Sequence, residues 1–136
     1  MSDSLIHLEI VTPSRVVFNE DVKSFTASGI EGSFQILSKH APFISTIVPG
    51  QVRFVTKEND TRRFVTSGGT VEVHDNKITM LAESIIPSGE INIAEAEKEK
   101  LEAEKILESK EPGLDKQAAK HKLLTAKAKI KATESK

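Results

Sequence analysis

The sequence predicts two structural parts, an N-terminal β-sandwich followed by a C-terminal antiparallel two-helix hairpin. Up to residue 87, short apolar or alternating runs follow one another closely and are separated by turn residues, as in sandwiches and barrels. Beyond residue 90 the chain has one glycine and one proline and consists mainly of Ala, Glu, Lys and Leu, which favours helices. We therefore expect a sandwich domain at residues 1–87 and a helical hairpin at residues 88–136.

Strands are predicted in order along the first part. Residues 5–11 alternate with a period of two, which indicates a strand with one apolar face. Turn residues at 19–21 divide the next two runs, and Gly68-Gly69 indicates a bulge or bend. From the residues alone, the stretch 29–42 is interpreted as a long loop that crosses the end of a sheet. The remaining strands are expected at 15–18, 22–27, 43–48, 52–57, 62–66, 71–74 and 77–83.

Two helices are predicted at about 93–110 and 114–133, with Asn92 as N-cap of the first and Glu95 completing a capping box. Their charges are opposite. Residues 92–111 hold seven Glu and four Lys, a net charge of −3, and residues 114–136 hold seven Lys, one Asp and one Glu, a net charge of +5. The charges fit either paired, solvated faces of a hairpin or a basic helix that can leave for an acidic partner.

The second helix has a narrow apolar stripe at i, i+4, i+7 and i+11, formed by Ala119, Leu123, Ala126 and Ile130. A large apolar side chain brings about 2 kcal/mol on burial, and an exposed ion pair brings roughly 0–1 kcal/mol. The docked hairpin should therefore be marginally stable. About 5.5 kcal/mol of differential binding shifts the populations of a two-state element from 1:99 to 99:1. A partner with a groove and acidic residues could therefore shift the hairpin from the docked to the undocked state. We expect a switch element.

Composition excludes several classes of site. The chain has no cysteine, tryptophan or tyrosine, and its net charge is −1. Disulfides and thiolate chemistry are therefore absent. Few aromatic side chains are available to stack on nucleic-acid bases. The four histidines lack metal-ligand spacing, no catalytic motif is present, and Ser67-Gly68-Gly69-Thr70 does not match a phosphate-binding loop. Without signal, transit or spanning segments, the sequence is interpreted as a complete, bacterial-type protein.

One motif carries a family resemblance. Gly29, Glu31, Gly32, Phe34, Ile36, Leu37, His40, Ala41 and Pro42 occur in the order and spacing of a single signature. This signature, G-x-E-G-x-F/L-G-I-L-P-x-H-A-P, is that of the epsilon subunit family of F-type ATP synthases. Gln35 and Ser38 depart from it, since the family usually has glycine and proline there. Runs at 10–18, 49–52, 67–73 and 80–82 also resemble the family, so the similarity covers about residues 5–86.

The resemblance implies a non-catalytic subunit at the foot of the central stalk, without cofactor or metal. Its implied partners are the gamma subunit and the membrane c-ring, and through the tail the alpha and beta subunits. It would couple proton or other ion flow to rotation and ATP synthesis. The implied location is peripheral, on the cytoplasmic face of the bacterial inner or plasma membrane.

The resemblance also assigns roles to individual residues. Glu31, Gly32, Ser33 and His40 would contact gamma or the c-ring. The tail can inhibit ATP hydrolysis in the family through basic residues that meet an acidic segment of the beta subunit. Here these would be Lys120, Lys122, Lys127, Lys129 and Lys131.

The family's nucleotide motif, I/L-D-x-x-R-A, corresponds to residues 91–96. Asn92 replaces the acid and Glu95 replaces the arginine, so tight ATP binding is not expected. The alternative class is a nucleic-acid-binding β-barrel with a basic helical tail, which the lysine-rich second helix favours and the net charge disfavours.

Overall fold

The computed structural model describes residues 4–134, which form seven β-strands, a short 3-10 turn and two α-helices. The predicted fold class, a β-sandwich followed by a two-helix hairpin, is confirmed. The strands are β1 (Ile6–Val11), β2 (Val16–Gly29), β3 (Gly32–Leu37), β4 (Phe43–Ile47), β5 (Gly50–Thr56), β6 (Thr61–His74) and β7 (Lys77–Pro87). The 3-10 turn at Ser88–Glu90 leads to α1 (Ile93–Glu108) and α2 (Lys116–Glu134).

Three long strands, β2, β6 and β7, run through both layers of the sandwich. The first layer has the order β4, second half of β6, first half of β7, β1, first half of β2. The second layer has the order β3, second half of β2, β5, first half of β6, end of β7. Because the long strands belong to both layers, one continuous sheet folds over on itself around a single core.

The crossing point of β6 is the predicted bulge. Its register to β7 shifts between Thr66 and Gly68 and again between Gly68 and Gly69. A Cβ on Gly69 would lie 1.9 Å from the carbonyl oxygen of Leu81, and its φ is 151°. Glycine is therefore required there, because both the close backbone approach and the positive φ exclude a side chain.

The core between the layers is apolar and well packed. Its largest fully buried side chains include Phe25, Phe54, Leu8, Ile36 and Met80. The Phe54 ring lies with its centroid 4.4 Å from that of Phe18 and 5.6 Å from that of Phe64. Both layers contribute to this cluster, so the core fixes the strand ends that carry the loops.

Two sequence interpretations were wrong. The expected turn at residues 19–21 is continuous strand, because β1 pairs with β2 through His7–Asp21, Leu8–Glu20 and Glu9–Asn19. The stretch 29–42 is not a long loop, because β3 occupies its first half and forms a hairpin with β2. Phe34 and Ile36 point inward on β3, and that period-two pattern was the available signal.

The helices begin and end within two residues of the predicted positions, and they pack against each other and against the sandwich. Consecutive strand residues point to opposite faces. Phe64 belongs to the core, whereas Val65, which is 1% exposed, lies outside that cluster. Because α2 contacts β5 and β6, the hairpin covers part of this outer face of the second layer.

Candidate functional site

The first half of the sequence signature forms the tip of the β2–β3 hairpin. Gly29 and Gly32 are cross-strand partners, so Ile30 and Glu31 make the turn between them. The φ of Gly32 is 122°, a value that favours glycine. The side chain of Ile30 is 68% exposed, and Glu31 and Ser33 are exposed beside it. The hairpin tip therefore presents one exposed apolar side chain flanked by polar groups.

His40 lies at the opposite end of β3. A six-residue strand spans roughly 17 Å, so the structure separates His40 from Glu31, Gly32 and Ser33. Its Nδ1 atom lies 2.8 Å from the carbonyl oxygen of Ala41, and its ring centroid is 5.7 Å from that of Phe43. The four residues predicted from the signature therefore form two regions and not one.

The β6–β7 turn holds the His40 loop in position. Asn76 accepts a hydrogen bond at Oδ1 from the backbone N–H of Lys39 (2.8 Å) and donates from Nδ2 to the carbonyl of Leu5 (2.9 Å). Lys39 and Asn76 both have positive φ, 65° and 58°. The amide thus ties together the N-terminal strand, the loop and the turn at this end of the sandwich.

Sequence reasoning missed an apolar surface beside His40. Ile44 on β4 is 72% exposed and lines a shallow depression with Pro42, Phe43, Glu72 and His74. The sequence interpretation of residues 43–48 goes no further than an apolar strand. The alternation of Phe43, Ser45 and Ile47 with Ile44 and Thr46 was the signal that one face of β4 is exposed.

The predicted lysines of α2 have different surroundings. Lys120, Lys122, Lys127 and Lys131 are exposed. Lys129 is partly buried, and its Nζ lies 3.5 Å from Oε1 of Glu99 on α1. One pair of opposite charges therefore joins the two helices, as in the interpretation of paired faces, while other lysines of α2 are exposed.

Small side chains mediate the packing of the hairpin. The buried residues of the two helices are Ala96 and Ala103 of α1 and Ala119, Ala126 and Ala132 of α2. Buried methyl groups contribute about 0.8 kcal/mol each, so the fully buried side chains alone stabilise the hairpin only modestly.

Polar contacts add to the hairpin packing. Lys116 donates from Nζ to the carbonyls of Leu107 and Ser109, at 3.2 and 2.7 Å. His121 lies with Nε2 3.6 Å from Oε1 of Glu83 on β7. The first contact closes the turn between the helices, and the second joins α2 to the sandwich.

Asn92 is the N-cap of α1, as predicted, because its Oδ1 accepts a hydrogen bond from the backbone N–H of Glu95 at 3.0 Å. The Glu95 side chain is exposed in the first helical turn. An acid at this position favours the helix dipole. It would repel a phosphate group, which the positive end of a helix otherwise attracts.

Within residues 4–134, no group of three or more His, Asp or Glu side chains is arranged to hold a metal ion. Over the same residues, no helix has the length and apolar character needed to cross a membrane.

The comparisons with known proteins agree on one family. Residues 5–88 match the β-sandwich domain model of the ATP synthase delta/epsilon chain. The ATP synthase epsilon chain of Syntrophomonas wolfei is 36% identical over 134 residues, which is 98% of both chains. That of Pelotomaculum thermopropionicum is 44% identical over 110 residues, 81% of each chain.

Solved structures support the fold. One chain of the Euglena gracilis mitochondrial ATP synthase, in a structure of OSCP, F1 and c-ring, is similar with a TM-score of 0.82 and 19% identity. That match covers 94% of this chain and 80% of the other. A chain from the central stalk and c-ring structure of the Tetrahymena thermophila enzyme has a TM-score of 0.67 and 22% identity, with 98% and 99% coverage.

Three observations favour an ATP synthase epsilon chain over a nucleic-acid-binding barrel. They are the signature in β2 to β4, the sandwich with its helical hairpin, and the full-length similarity to bacterial relatives. The chain belongs to the ATP synthase delta/epsilon chain family, among the epsilon chains.

Proposed function

We propose that this chain is the epsilon subunit of the ATP synthase central stalk and that it couples transmembrane ion flow to rotation and ATP synthesis. It acts as a non-catalytic subunit. The match of the sandwich to the family model, together with full-length similarity to epsilon chains, carries this proposal. The relevant location is the cytoplasmic face of the bacterial membrane, where the chain binds peripherally through other subunits.

The sandwich supplies two contact regions, one for each neighbour in the stalk. The first is the hairpin tip with Ile30, Glu31, Gly32 and Ser33. The second is the His40 end with Phe43 and Ile44. Because about 17 Å of strand separates them, one small patch on a single partner loop does not reach both. Gamma and the c-ring are the partners proposed for these regions.

Single-cysteine cross-linking tests the two regions, because the chain contains no cysteine. Glu31→Cys and His40→Cys are placed separately in the assembled complex and oxidised or treated with a short bifunctional reagent. Each variant serves as the control for the other. We expect each to form a cross-link to gamma or to the c-ring, with different products. Absence of any product from both would contradict the assignment.

The helical hairpin, residues 88–136, is the regulatory part of the proposal. Its alanine-rich packing fits a docked state that a partner can replace. Lys120, Lys122, Lys127 and Lys131 face solvent in that state. On undocking, they and Lys129 would meet an acidic segment of the catalytic head and inhibit ATP hydrolysis, which brings the hairpin into contact with the alpha and beta subunits.

Truncation after Glu90 tests the inhibitory role. The reconstituted complex should hydrolyse ATP faster with the truncated chain than with the full chain. Lys120→Gln with Lys127→Gln should reproduce part of that increase, whereas Lys98→Gln on the exposed face of α1 should not. Equal hydrolysis rates with the full and the truncated chain would contradict the inhibitory role of the hairpin. They would not contradict the role of the sandwich in the central stalk.

Tight ATP binding is not part of the proposed function. Glu95 stands where the family motif has an arginine, and its charge opposes a phosphate at the start of α1. Titration of the isolated chain with ATP should give no saturation at micromolar concentrations, and saturation there would overturn this point.

A further inference from the structure

β3 is an edge strand of the second layer. Within residues 4–134, β2 is the only strand that pairs with it. Its six residues, Gly32–Leu37, include no charged side chain and no proline, two of the usual devices that keep an exposed edge from pairing. β4, the edge strand of the first layer, is covered in part, because the carbonyl of Thr46 accepts a hydrogen bond from the N–H of Ile30 at 3.0 Å. The edge of β3 is therefore the better template for a further strand.

The strand register identifies the backbone groups that β3 presents at this edge. The carbonyl of Ser28 on β2 accepts a hydrogen bond from the N–H of Val48 at 3.1 Å, so it points away from Ser33, its cross-strand partner on β3. Hydrogen-bonded and non-hydrogen-bonded pairs alternate along an antiparallel ladder. Ser33, Gln35 and Leu37 therefore direct their N–H and C=O groups towards the free edge.

We propose that the free chain forms a symmetric dimer in which two β3 strands pair antiparallel about Gln35. The two Gln35 residues exchange backbone hydrogen bonds at the two-fold axis. On each side of the axis, the N–H of Leu37 donates to the carbonyl of Ser33 of the partner subunit. The carbonyl of Leu37 is not needed for this pairing, since it already accepts a hydrogen bond from the N–H of His40 at 3.2 Å.

Charge complementarity makes a second copy of the chain the matching occupant of this edge. Pairing about Gln35 places Glu31 of one copy beside Lys39 of the other, once at each end of the paired strands. Both side chains are exposed, and no charged residue lies between them in the sequence. A parallel, in-register pair would instead bring like charges together, which is destabilising.

The side chains of β3 favour the same arrangement. On the outer face, Leu37, which is 51% exposed, would lie over Ser33 of the partner subunit. On the inner face, the partly buried ring of Phe34 would lie beside Ile36 of the partner subunit, so pairing removes apolar surface from water. At the axis each Gln35 amide can donate to and accept from the other. The family signature usually has glycine there, a residue that weakens strands.

The dimer is a state of the free chain and involves neither the helical hairpin nor a bound ligand. Glu31 belongs to the hairpin tip to which a stalk contact is assigned. If that assignment holds, and this consequence alone rests on the proposed function, pairing and assembly into the stalk exclude each other.

Sedimentation equilibrium of the full-length chain at about 10 μM to 1 mM tests the dimer, since so short an edge contact belongs to the weak interfaces. The average mass should rise from that of a monomer towards that of a dimer. Gln35→Pro removes the N–H at the axis and should abolish the rise, because proline is tolerated in an edge strand whose N–H faces solvent. Gln35→Thr keeps the N–H and should still dimerise. Circular dichroism verifies that both variants are folded.

Charge reversal tests the register. Glu31→Lys and Lys39→Glu should each weaken self-association by about tenfold, because attraction at both ends becomes repulsion. An equimolar mixture of the two variants should associate like the native chain, since opposite charges meet again at both ends. Lys57→Glu and Glu58→Lys, at exposed positions in the β5–β6 turn, are the controls and should dimerise normally.

Three results would overturn the dimer. They are a chain that stays monomeric throughout the concentration range, a dimer that survives Gln35→Pro, and a mixture of the charge variants that does not associate. Amide hydrogen exchange at Gln35 provides an independent measurement and should slow as the concentration of the free chain rises. Slowing only in the assembled complex would assign the edge to a strand of another subunit and contradict the proposal.

Discussion

The ammonium nitrogen of Lys129 lies 3.5 Å from Oε1 of Glu99, so α1 holds one of the lysines assigned to the inhibitory contact. Glu99→Gln removes the pair, whose loss should destabilise the hairpin by up to about 1 kcal/mol. The undocked population would rise by up to about fivefold, a factor that corresponds to 1 kcal/mol. Amide exchange in α2 should quicken, and less of the chain should be needed for half-maximal inhibition. Glu97→Gln, on the exposed face of the same helix, is the control, and equal effects of the two changes would contradict the role of the pair.

The bulge in β6 predicts a large penalty for a single methyl group. Gly69→Ala places a Cβ 1.9 Å from the carbonyl oxygen of Leu81, so the crossing between layers must distort. The clash and the backbone strain together should cost at least about 3 kcal/mol in the free energy of unfolding. Urea unfolding followed by circular dichroism measures it.

Gly32→Ala is the comparison for Gly69→Ala. Gly32 also has positive φ, 122°, but no atom lies within 4 Å of the position that a Cβ would occupy there. Gly32→Ala should therefore lower the free energy of unfolding only through backbone strain, by about 1–2 kcal/mol. A smaller loss for Gly69→Ala than for Gly32→Ala would mean that the layers are not joined as described.

Asn76 should determine the position of the His40 loop. Asn76→Gly keeps a residue that accepts positive φ but removes the hydrogen bonds to Lys39 and Leu5, which should cost about 1–2 kcal/mol. Asn76→Ala should cost more, because it adds strain at a φ of 58°. Hydrogen exchange at the Lys39 amide should quicken in both variants. Unchanged exchange would mean that Asn76 does not hold the His40 loop in position.

The β1–β2 pair predicts a pH dependence of stability. The Asp21 side chain, 2.9 Å from Nδ1 of His7, accepts a hydrogen bond and raises the pKa of that histidine above its usual value, with Asn19 assisting. A raised folded pKa means that the stabilisation is fully present below about pH 6.5, the ordinary value, and is lost as pH rises through the folded value.

Comparison with His7→Gln by urea unfolding at pH 5.5 to 8.5 measures this effect. The native chain should exceed the variant in stability at the acid end by no more than about 1 kcal/mol, since the pair is partly exposed. The difference should shrink towards alkaline pH. Asp21→Asn should flatten the profile, and a difference that grows with pH would contradict the assignment.

Local chemistry made part of the fold predictable. Asp75 and Asn76 sit in a two-residue turn at positive φ, 50° and 58°, and both residue types tolerate that conformation. Asn92 caps α1 through its own side chain, which sequence spacing alone indicates. The Gly68-Gly69 bulge follows from the same reasoning.

Tertiary pairing decided the rest. Asn19, Glu20 and Asp21 have the composition of a turn, yet β1 supplies partners for all three and keeps them in strand. Because residues 29–42 are interpreted from the sequence as a loop, β3 is not predicted. The separation of Glu31 from His40 is therefore not predicted either. The two contact regions do not follow from the sequence without the strand register.

ATP synthesis driven by an ion gradient tests the central claim most directly. Membrane vesicles from a strain that lacks this chain are energised, and the ATP made is measured before and after adding full-length chain or the chain truncated after Glu90. The account predicts little synthesis without the chain and restoration by both forms, since the sandwich carries the stalk contacts. Equal synthesis in its presence and absence would contradict its assignment as the coupling subunit.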